Sequence, residues 1–449
     1  MPPKPAIFLP GFPSSELLDP AGNVVYPPPS PLSLLNAANK AAYLARLSDV
    51  PGDLVAGSPV PSLFGLVPEA QSLYDILATF GYDITPASTN FKPIGWDWRL
   101  GVGAAATVNR IRATLDALSP NKDGKVIAIL HSTGGLVFRA FLEQEPAYAK
   151  CFEQVLTFGI PWAGTLEALH AVVVGVGVGI GPIKLVSEAE GASIFGHAQA
   201  AYDLFPTDPL LNLFISTGVS TTPKADQSWT TEQYQRDLLA TAHGPFPQQF
   251  NDLPLTNVCG WGGATWPVVT LVGGKITWLA PNKEAGDGTV PFVSSSWLQG
   301  AKVRPVYVPI GAFAEGAIPK IHGQLWGSVA IQQIFREVLG GAAPQPFITA
   351  AADSDQSIDF NSNVNVRMTA LAADGSALPN CVATVDISGK KTKVPFDPTA
   401  MLHGDRRAEV LIKRAGIKHN VANDLFRFEI TFTWDGGVPV VVPVLIHSV

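Results

Sequence analysis

The chain has few cysteines, little charge and no long apolar run. Of its 449 residues only three are cysteine, Cys151, Cys259 and Cys381, and they stand far apart with no CxxC pair. That spacing argues against a disulfide framework or a zinc site and predicts buried apolar thiols. Charged residues make up 15% of the chain and the formal net charge is -7, with no cluster of Lys and Arg. A nucleic-acid partner is not expected, because backbone phosphates are held by clustered cations. The opening MPPKPAIFLPGF has too short an apolar run for a secretory signal. The stretch ALHAVVVGVGVGIGPI, residues 168–183, falls short of the ~20 residues a spanning helix needs, and it carries four glycines and a proline. The expectation is therefore a cytoplasmic chain, an extracellular one requiring that a leader has been removed.

What is present is apolar sequence in short pieces. The chain is 47% hydrophobic with a mean hydropathy of +0.21, long enough for one large domain and a smaller one. Its texture changes at GGAAPQP, residues 340–346. Before that point the runs AIFLP (6–10), KVIAIL (125–130), QVLTFG (154–159), VVTLVG (268–273) and VRPVYVP (303–309) alternate with helical patterns. Such alternation predicts a mostly parallel sheet covered by helices. After it the period is two: Val364, Val366 and Met368 alternate, as do Cys381, Ala383, Val385 and Ile387, then Phe426, Phe428, Ile430, Phe432 and Trp434. With turns at DGS (374–376) and DGG (435–437), residues 343–449 are expected to form a small antiparallel β-sandwich behind an α/β domain over 1–342. Between Trp162 and Trp266 the α/β rhythm breaks down. An insertion of that size, about residues 165–255, is expected to cap a site.

The segment VIAILHSTGGLVFRAF, residues 126–141, places a serine where an apolar run stops and a helical pattern starts. A hydroxyl is a weak nucleophile that needs a base beside it and donors aimed at the oxyanion. A sharp strand-to-helix turn lifts the side chain above the sheet and turns free N–H groups toward the reacting oxygen. Gly134 and Gly135 supply the small residues such a turn needs after Ser132, while Leu130 stands where G-x-S-x-G has its first glycine. The competing reading of HSTGG is a serine that only caps a helix.

In an α/β-hydrolase the acid and then the base follow the serine along the chain. Asp287, between glycines in EAGDGTVPFVSS (284–295), follows the run VVTLVG, and His322 in AIPKIHGQLW (317–326) follows the next one. Both fall where sites of this kind are built, at the carboxyl ends of strands. A turn aspartate and a helix-start histidine are the ordinary alternatives. His170, His197 and His243 lie in the expected cap, His403, His419 and His447 in the tail, and His131 should point away from its neighbour Ser132. The oxyanion donors would be the N–H of Thr133 and, from the loop FLPGFPSSELLD (8–19), that of Phe12, since Pro13 has none. A simple turn after an edge strand is the alternative reading of that loop.

Seven blocks then occur in a telling order: IFLPGFPSSELLD, LYDILATFGYD (73–83), WDWRL (96–100), AILHSTGGLVFRAFL, VLTFGIPWAGT (155–165), GDGTVP (286–291) and KIHGQL (320–325). Over roughly residues 6–340 this resembles the lecithin:cholesterol acyltransferase superfamily, which includes lysosomal phospholipases and bacterial lipase-like proteins. The resemblance implies an α/β-hydrolase with a mobile lid, a triad of Ser132, Asp287 and His322, and Phe12 and Thr133 at the oxyanion hole. The chain departs from that pattern at Leu130, in having no cysteine pair to close a lid, and in residues 343–449.

The function expected is that of a serine carboxylic-ester hydrolase, of lipase, esterase or phospholipase type, acting on hydrophobic acyl esters. No metal or cofactor is called for, and transient contact with a membrane or polymer surface is compatible with such a substrate. Acyl transfer to an alcohol differs only in what attacks the acyl-enzyme. A binding protein on a hydrolase scaffold and a peptidase or amidase are the other classes. Substrate contacts are expected from Trp162 in GIPWAG and from Val174 and Val176 in a yielding apolar wall of valine and glycine, although Trp162 can equally pack under the cap and the wall can equally be a core strand. WDWRL reads as structural, with Asp97 and Arg99 satisfying each other and nearby backbone.

Overall fold

Six short segments line up side by side and all run in the same direction. They are β1 (Ala6–Leu9), β2 (Phe91–Pro93), β3 (Val126–His131), β4 (Phe152–Phe158), β5 (Leu255–Trp261) and β6 (Val303–Pro309), in the spatial order β6-β5-β4-β3-β1-β2. The computed structural model describes the chain except residues 1–2, 64–66, 69, 86, 181–182, 242–249, 251, 262, 299–301, 310–321, 328, 342–346, 353–362, 373–377, 379, 388–389, 396–405, 412–424, 438 and 448–449.

Strands in such a sheet are apolar on both faces because both faces are covered. Ile7, Leu9, Val126, Ala128 and Leu130 point to one side, where α2 (Ala105–Leu118) and α3 (Gly134–Gln144) bury Ile111, Leu115, Phe138 and Phe141 against them. Ala6, Phe8, Ile127, Ile129 and Phe158 point to the other, against Leu73 and Leu77 of α1 (Gln71–Thr79) and Ile331, Ile334 and Phe335 of α4 (Val329–Val338). Leu130 is thus a fully buried core residue on the face that α3 covers, and does not crowd the turn after it. Strand order reverses between β1 and β3, so the loops leaving their carboxyl ends diverge and open a crevice there.

Three strand assignments differ from the sequence reading: VVTLVG, β5 and β2. The run VVTLVG does not join the parallel sheet. Val269–Val272 lies instead in a separate four-stranded sheet with Phe214–Ser216, Val219–Thr221 and Lys275–Trp278. The vacant position in the parallel sheet is taken by β5, whose Thr256 and Asn257 break the apolar pattern and are nevertheless buried. Asn257 is satisfied there: its Oδ1 accepts from Thr157 Oγ1 (2.8 Å) and Trp162 Nε1 (3.1 Å), and its Nδ2 donates to the Ser295 carbonyl (2.9 Å). The short β2 ends in proline, which an edge strand tolerates.

Between β4 and β5 the chain makes the helices Leu166–Val173, Glu188–His197, Gln199–Asp203 and Gln233–Ala240, with an antiparallel pair Val178–Ile180 and Ile183–Val186. After α4 every described strand pairing is antiparallel. One sheet orders Phe347–Ala352, Asn363–Leu371 and Arg406–Leu411, and the other Lys390–Pro395, Val382–Ile387, Leu425–Thr433 and Val440–His447. Cys381, Ala383, Val385, Ile430 and Phe432 are buried, as their alternation predicts. The DGS turn and most of GGAAPQP lie outside the described residues. The three cysteines are free and buried. Among the described residues no helix is long and apolar enough to cross a membrane.

The WDWRL segment is a buried brace. Arg99 donates to both oxygens of Asp97 (3.0 and 2.8 Å) and to the carbonyls of Arg46, Asp49, Pro51 and Leu54 at 3.1–3.3 Å. Removing the cation would strand a buried carboxylate and four carbonyls. Arg99→Met is therefore expected to cost about 3–5 kcal/mol in urea unfolding, with part of the loss recovered by adding Asp97→Asn. A single variant within about 0.5 kcal/mol of the parent, the range of an ordinary surface change, would show that the pair is not a brace.

Candidate active site

Ser132 is the first residue after β3 and sits at φ +50°, the left-handed region that a residue with a Cβ enters only under local compulsion. Its N–H donates to the Phe158 carbonyl (3.0 Å) and its carbonyl accepts from Gly135 (3.0 Å), so strand β4 and helix α3 hold the turn from both sides. The glycines after it are required by close approach. A Cβ on Gly134 would lie 2.8 Å from the Pro10 carbonyl oxygen, and one on Gly135 2.6 Å from Ile160. Small residues let the start of α3 press against the ends of β1 and β4.

The loop after β1 crosses directly over the serine. A Cβ on Gly11 would meet Ser132 Cβ at 2.7 Å and Oγ at 3.2 Å. Three bonds from WDWRL fasten this loop: Trp96 Nε1 to the Pro10 carbonyl (3.0 Å), Trp98 Nε1 to the Ser15 carbonyl (3.2 Å), and Trp96 N–H to Ser15 Oγ (3.1 Å). The indoles therefore do more than fill the core, because they set the height of the backbone over Ser132. Among the described residues, the N–H groups of Phe12 and Thr133 donate to no acceptor. The Phe12 ring packs on Trp98 (5.5 Å between centroids) and on Phe195 of helix Glu188–His197 (5.4 Å).

Asp287 is completely buried beyond the end of β5, against Gly260. Its Oδ1 accepts from the N–H groups of Thr289 (3.1 Å) and Val290 (2.8 Å), which turns Oδ2 toward His322 Nδ1 at 2.7 Å. Gly288, at φ +96°, shapes the turn and donates to Thr265 Oγ1 (2.9 Å). Thr165, which caps helix Leu166–Val173, donates from its hydroxyl to the Thr289 carbonyl (2.6 Å) and so ties the acid loop to that helix. A carboxylate only accepts, so His322 carries its proton on Nδ1 and presents Nε2 as an acceptor when neutral. His322 is buried, and two buried polar atoms of the site have no hydrogen-bond partner: His322 Nε2 and Thr133 Oγ1.

The structure thus joins Asp287 to His322, and sets Ser132 in a strained turn beside Gly11 without a hydrogen bond from its Oγ to His322. Two residues that sequence reasoning passed over belong to the same cluster. Gly159, at φ +58° after β4, backs the acid–base pair: a Cβ there would stand 2.9 Å from both Asp287 Oδ2 and His322 Nδ1. Its signal in the sequence is a glycine ending a strand-like run. His131 does not simply turn away from the site, since its Nε2 lies 2.9 Å from the His322 carbonyl.

Trp162 is fully buried, bonded to Asn257 and edge-on to Phe250 (5.3 Å), which is the packing role and not that of a substrate wall. Val174 is exposed and Val176 half-buried. Their segment lies backbone-to-backbone on helix Glu188–His197. A Cβ on Gly175 would be 2.7 Å from Ala192 N, and one on Gly191 2.9 Å from Val176 N. Glycine serves close packing there, and the side chains of residues 178–183 lie outside the described residues.

A doubly covered parallel sheet, a strained serine at its strand-order reversal and a buried Asp–His pair define an α/β-hydrolase. Residues 67–263, less than half of the chain but including Ser132, match the family model for lecithin:cholesterol acyltransferase, in agreement with the resemblance carried by the sequence blocks. Among solved structures the chain is similar to one described as the Tle4-Tli4 complex, at 14% identity and a TM-score of 0.42, over 73% of this chain and 96% of that one. No curated protein matches. The family that residues 67–263 match is one of acyl transfer, which goes with an enzyme of esterase or acyltransferase type.

Proposed function

We propose that the protein is a serine hydrolase of hydrophobic acyl esters, with residues 1–342 as the catalytic domain, about 165–255 as its cap, and Ser132, His322 and Asp287 as nucleophile, base and acid. The observation that carries this reading is the buried Asp287–His322 bond, which leaves an unpartnered Nε2 in the same cluster as the strained Ser132. In this reading Ser132 Oγ attacks the carbonyl carbon while Nε2 takes its proton. The negative oxygen of the tetrahedral intermediate is held by the N–H groups of Phe12 and Thr133. Nε2 then returns the proton to the leaving alkoxide, which departs as alcohol, and water attacks the acyl-enzyme by the same route in reverse. The Ser–His hydrogen bond forms with substrate in place, as catalytic contacts commonly tighten then. The half-buried Phe12 and Phe195, packed on each other and on the buried Trp98, give the loop over Ser132 an apolar side suited to an alkyl chain, worth about 0.8 kcal/mol for each CH₂ buried.

A fluorophosphonate is expected to add one mass adduct, located on Ser132. A chain-length series of p-nitrophenyl esters, run beside phospholipid, should then show turnover that rises with acyl length and is abolished by that adduct. Adding an alcohol acceptor separates hydrolysis from transfer: free acid is expected as the main product, and a dominant ester product would make the enzyme a transferase. An adduct on another residue, with ester turnover intact, would overturn the assignment.

A further inference from the structure

His131 lies outside the roles assigned so far, yet it meets both the base and the loop that crosses over the serine. It precedes Ser132 in the chain and is buried. Its Nε2 stands 2.9 Å from the carbonyl oxygen of His322, 191 residues away. Its ring lies between the His322 ring (4.9 Å, tilted 38°) and the edge-on Trp326 indole (4.8 Å), and Trp326 is itself anchored by Nε1 donating to Ser72 Oγ at 2.7 Å. On its other side Nδ1 faces the loop after β1, where a Cβ on Gly11 would come within 3.3 Å of it.

We propose that His131 is the positioning residue of this site, a neutral imidazole whose Nε2–H fixes the backbone of the base His322 while its Nδ1 edge rests against the Gly11 loop. The inference rests on the serine-hydrolase reading for its catalytic meaning, but the contact itself does not depend on that reading. A carbonyl can only accept, so the proton must be on Nε2. The base begins a short 3₁₀ turn, His322–Gly327, and a second bond to its carbonyl locks the backbone from which the catalytic ring swings. Neutrality matters because His322 becomes cationic each time it takes a proton, and a charged neighbour 4.9 Å away would oppose that step. Burial, reinforced by repulsion from His322, pushes the His131 pKa down to about 3. Among the described residues, the titratable groups facing the two rings are each other and Asp287, while Trp326, Ser72, Gly11, Gly159 and Leu325 bring no charge.

The test compares His131→Phe, which keeps a ring without a donor, with His131→Gln, whose amide N–H reaches where Nε2 stood. The phenylalanine variant is expected to lose on the order of 10² in kcat with little change in KM, the size of effect that a small misplacement of a catalytic group produces. It should also lose the low-field proton signal of the His322 Nδ1–H bond to Asp287. Glutamine should restore both. Parent-like kcat and signal in the phenylalanine variant, or a glutamine variant as impaired as phenylalanine, would overturn the proposal. A measurement on the parent covers the case in which phenylalanine fails to fold. The ¹⁵N shifts of His131 should show the neutral Nε2–H tautomer from about pH 8 down to about pH 5, across the range where an unperturbed histidine titrates. Titration of His131 within that range, or an Nδ1–H tautomer, would overturn it. These spectra need no turnover, so failure of the serine assignment would be seen separately, as activity surviving in Ser132→Ala.

Discussion

Ser132→Ala is expected to lower kcat by about 10⁶ while the protein stays folded, because in the proposed mechanism the serine hydroxyl is the group that forms the covalent bond. The fold should survive because the turn is held by main-chain bonds, Ser132 N–H to Phe158 and Gly135 N–H to Ser132, which alanine retains. Alanine also keeps the left-handed strain at φ +50°, whereas glycine would release it. Ser132→Gly should therefore be equally inactive but more stable than Ser132→Ala, by about 1–3 kcal/mol in denaturant unfolding. The two variants separate chemistry from architecture, since inactivity follows the hydroxyl and stability follows the backbone. Ester turnover by Ser132→Ala within tenfold of the parent would sink the assignment. Equal stabilities would mean that the turn is not strained in solution.

The candidate cluster of Ser132, Asp287 and His322 could be picked out because its pieces are local signals in a fixed order. An apolar run ending in His-Ser-Thr-Gly-Gly needs no tertiary information to be read as a strand-to-helix turn, and an aspartate between glycines is conspicuous. The parallel sheet was harder. Val269–Val272 has the texture of a core strand and pairs outside that sheet, while β5 carries buried Thr256 and Asn257 and does not look like one. Composition cannot distinguish the two, because the polar residues of β5 are satisfied by Thr157, Trp162 and Ser295, partners brought close only by folding. In the valine–glycine stretch glycine's freedom suggested mobility, and the structure adds a second use, the close approach of a helix backbone. Gly159 and His131 were passed over because their importance lies in contacts with residues more than a hundred positions away.

Asp287→Asn is expected to be strongly damaging, though less so than loss of the base, and the geometry says why. Asp287 Oδ1 accepts from Thr289 and Val290, so the amide of an asparagine must turn its oxygen to those N–H groups and its NH₂ toward His322. An NH₂ facing Nδ1 requires that nitrogen to accept, which moves the imidazole proton to Nε2. A ring protonated on Nε2 cannot take the proton from Ser132. The expected loss is about 10⁴ in kcat with KM little changed, the effect of holding a catalytic histidine in the wrong tautomer. His322→Ala should cost about 10⁶, and because base and nucleophile act as one unit, Ser132→Ala combined with His322→Ala should be no slower than either alone. Additive losses would mean that the two residues serve separate steps. The tautomer argument has its own check: in Asp287→Asn the ¹⁵N shifts of His322 should exchange their protonated nitrogen from Nδ1 to Nε2. If His322 keeps its proton on Nδ1 while activity falls, the carboxylate acts through its charge on the imidazolium and not through the orientation of the ring.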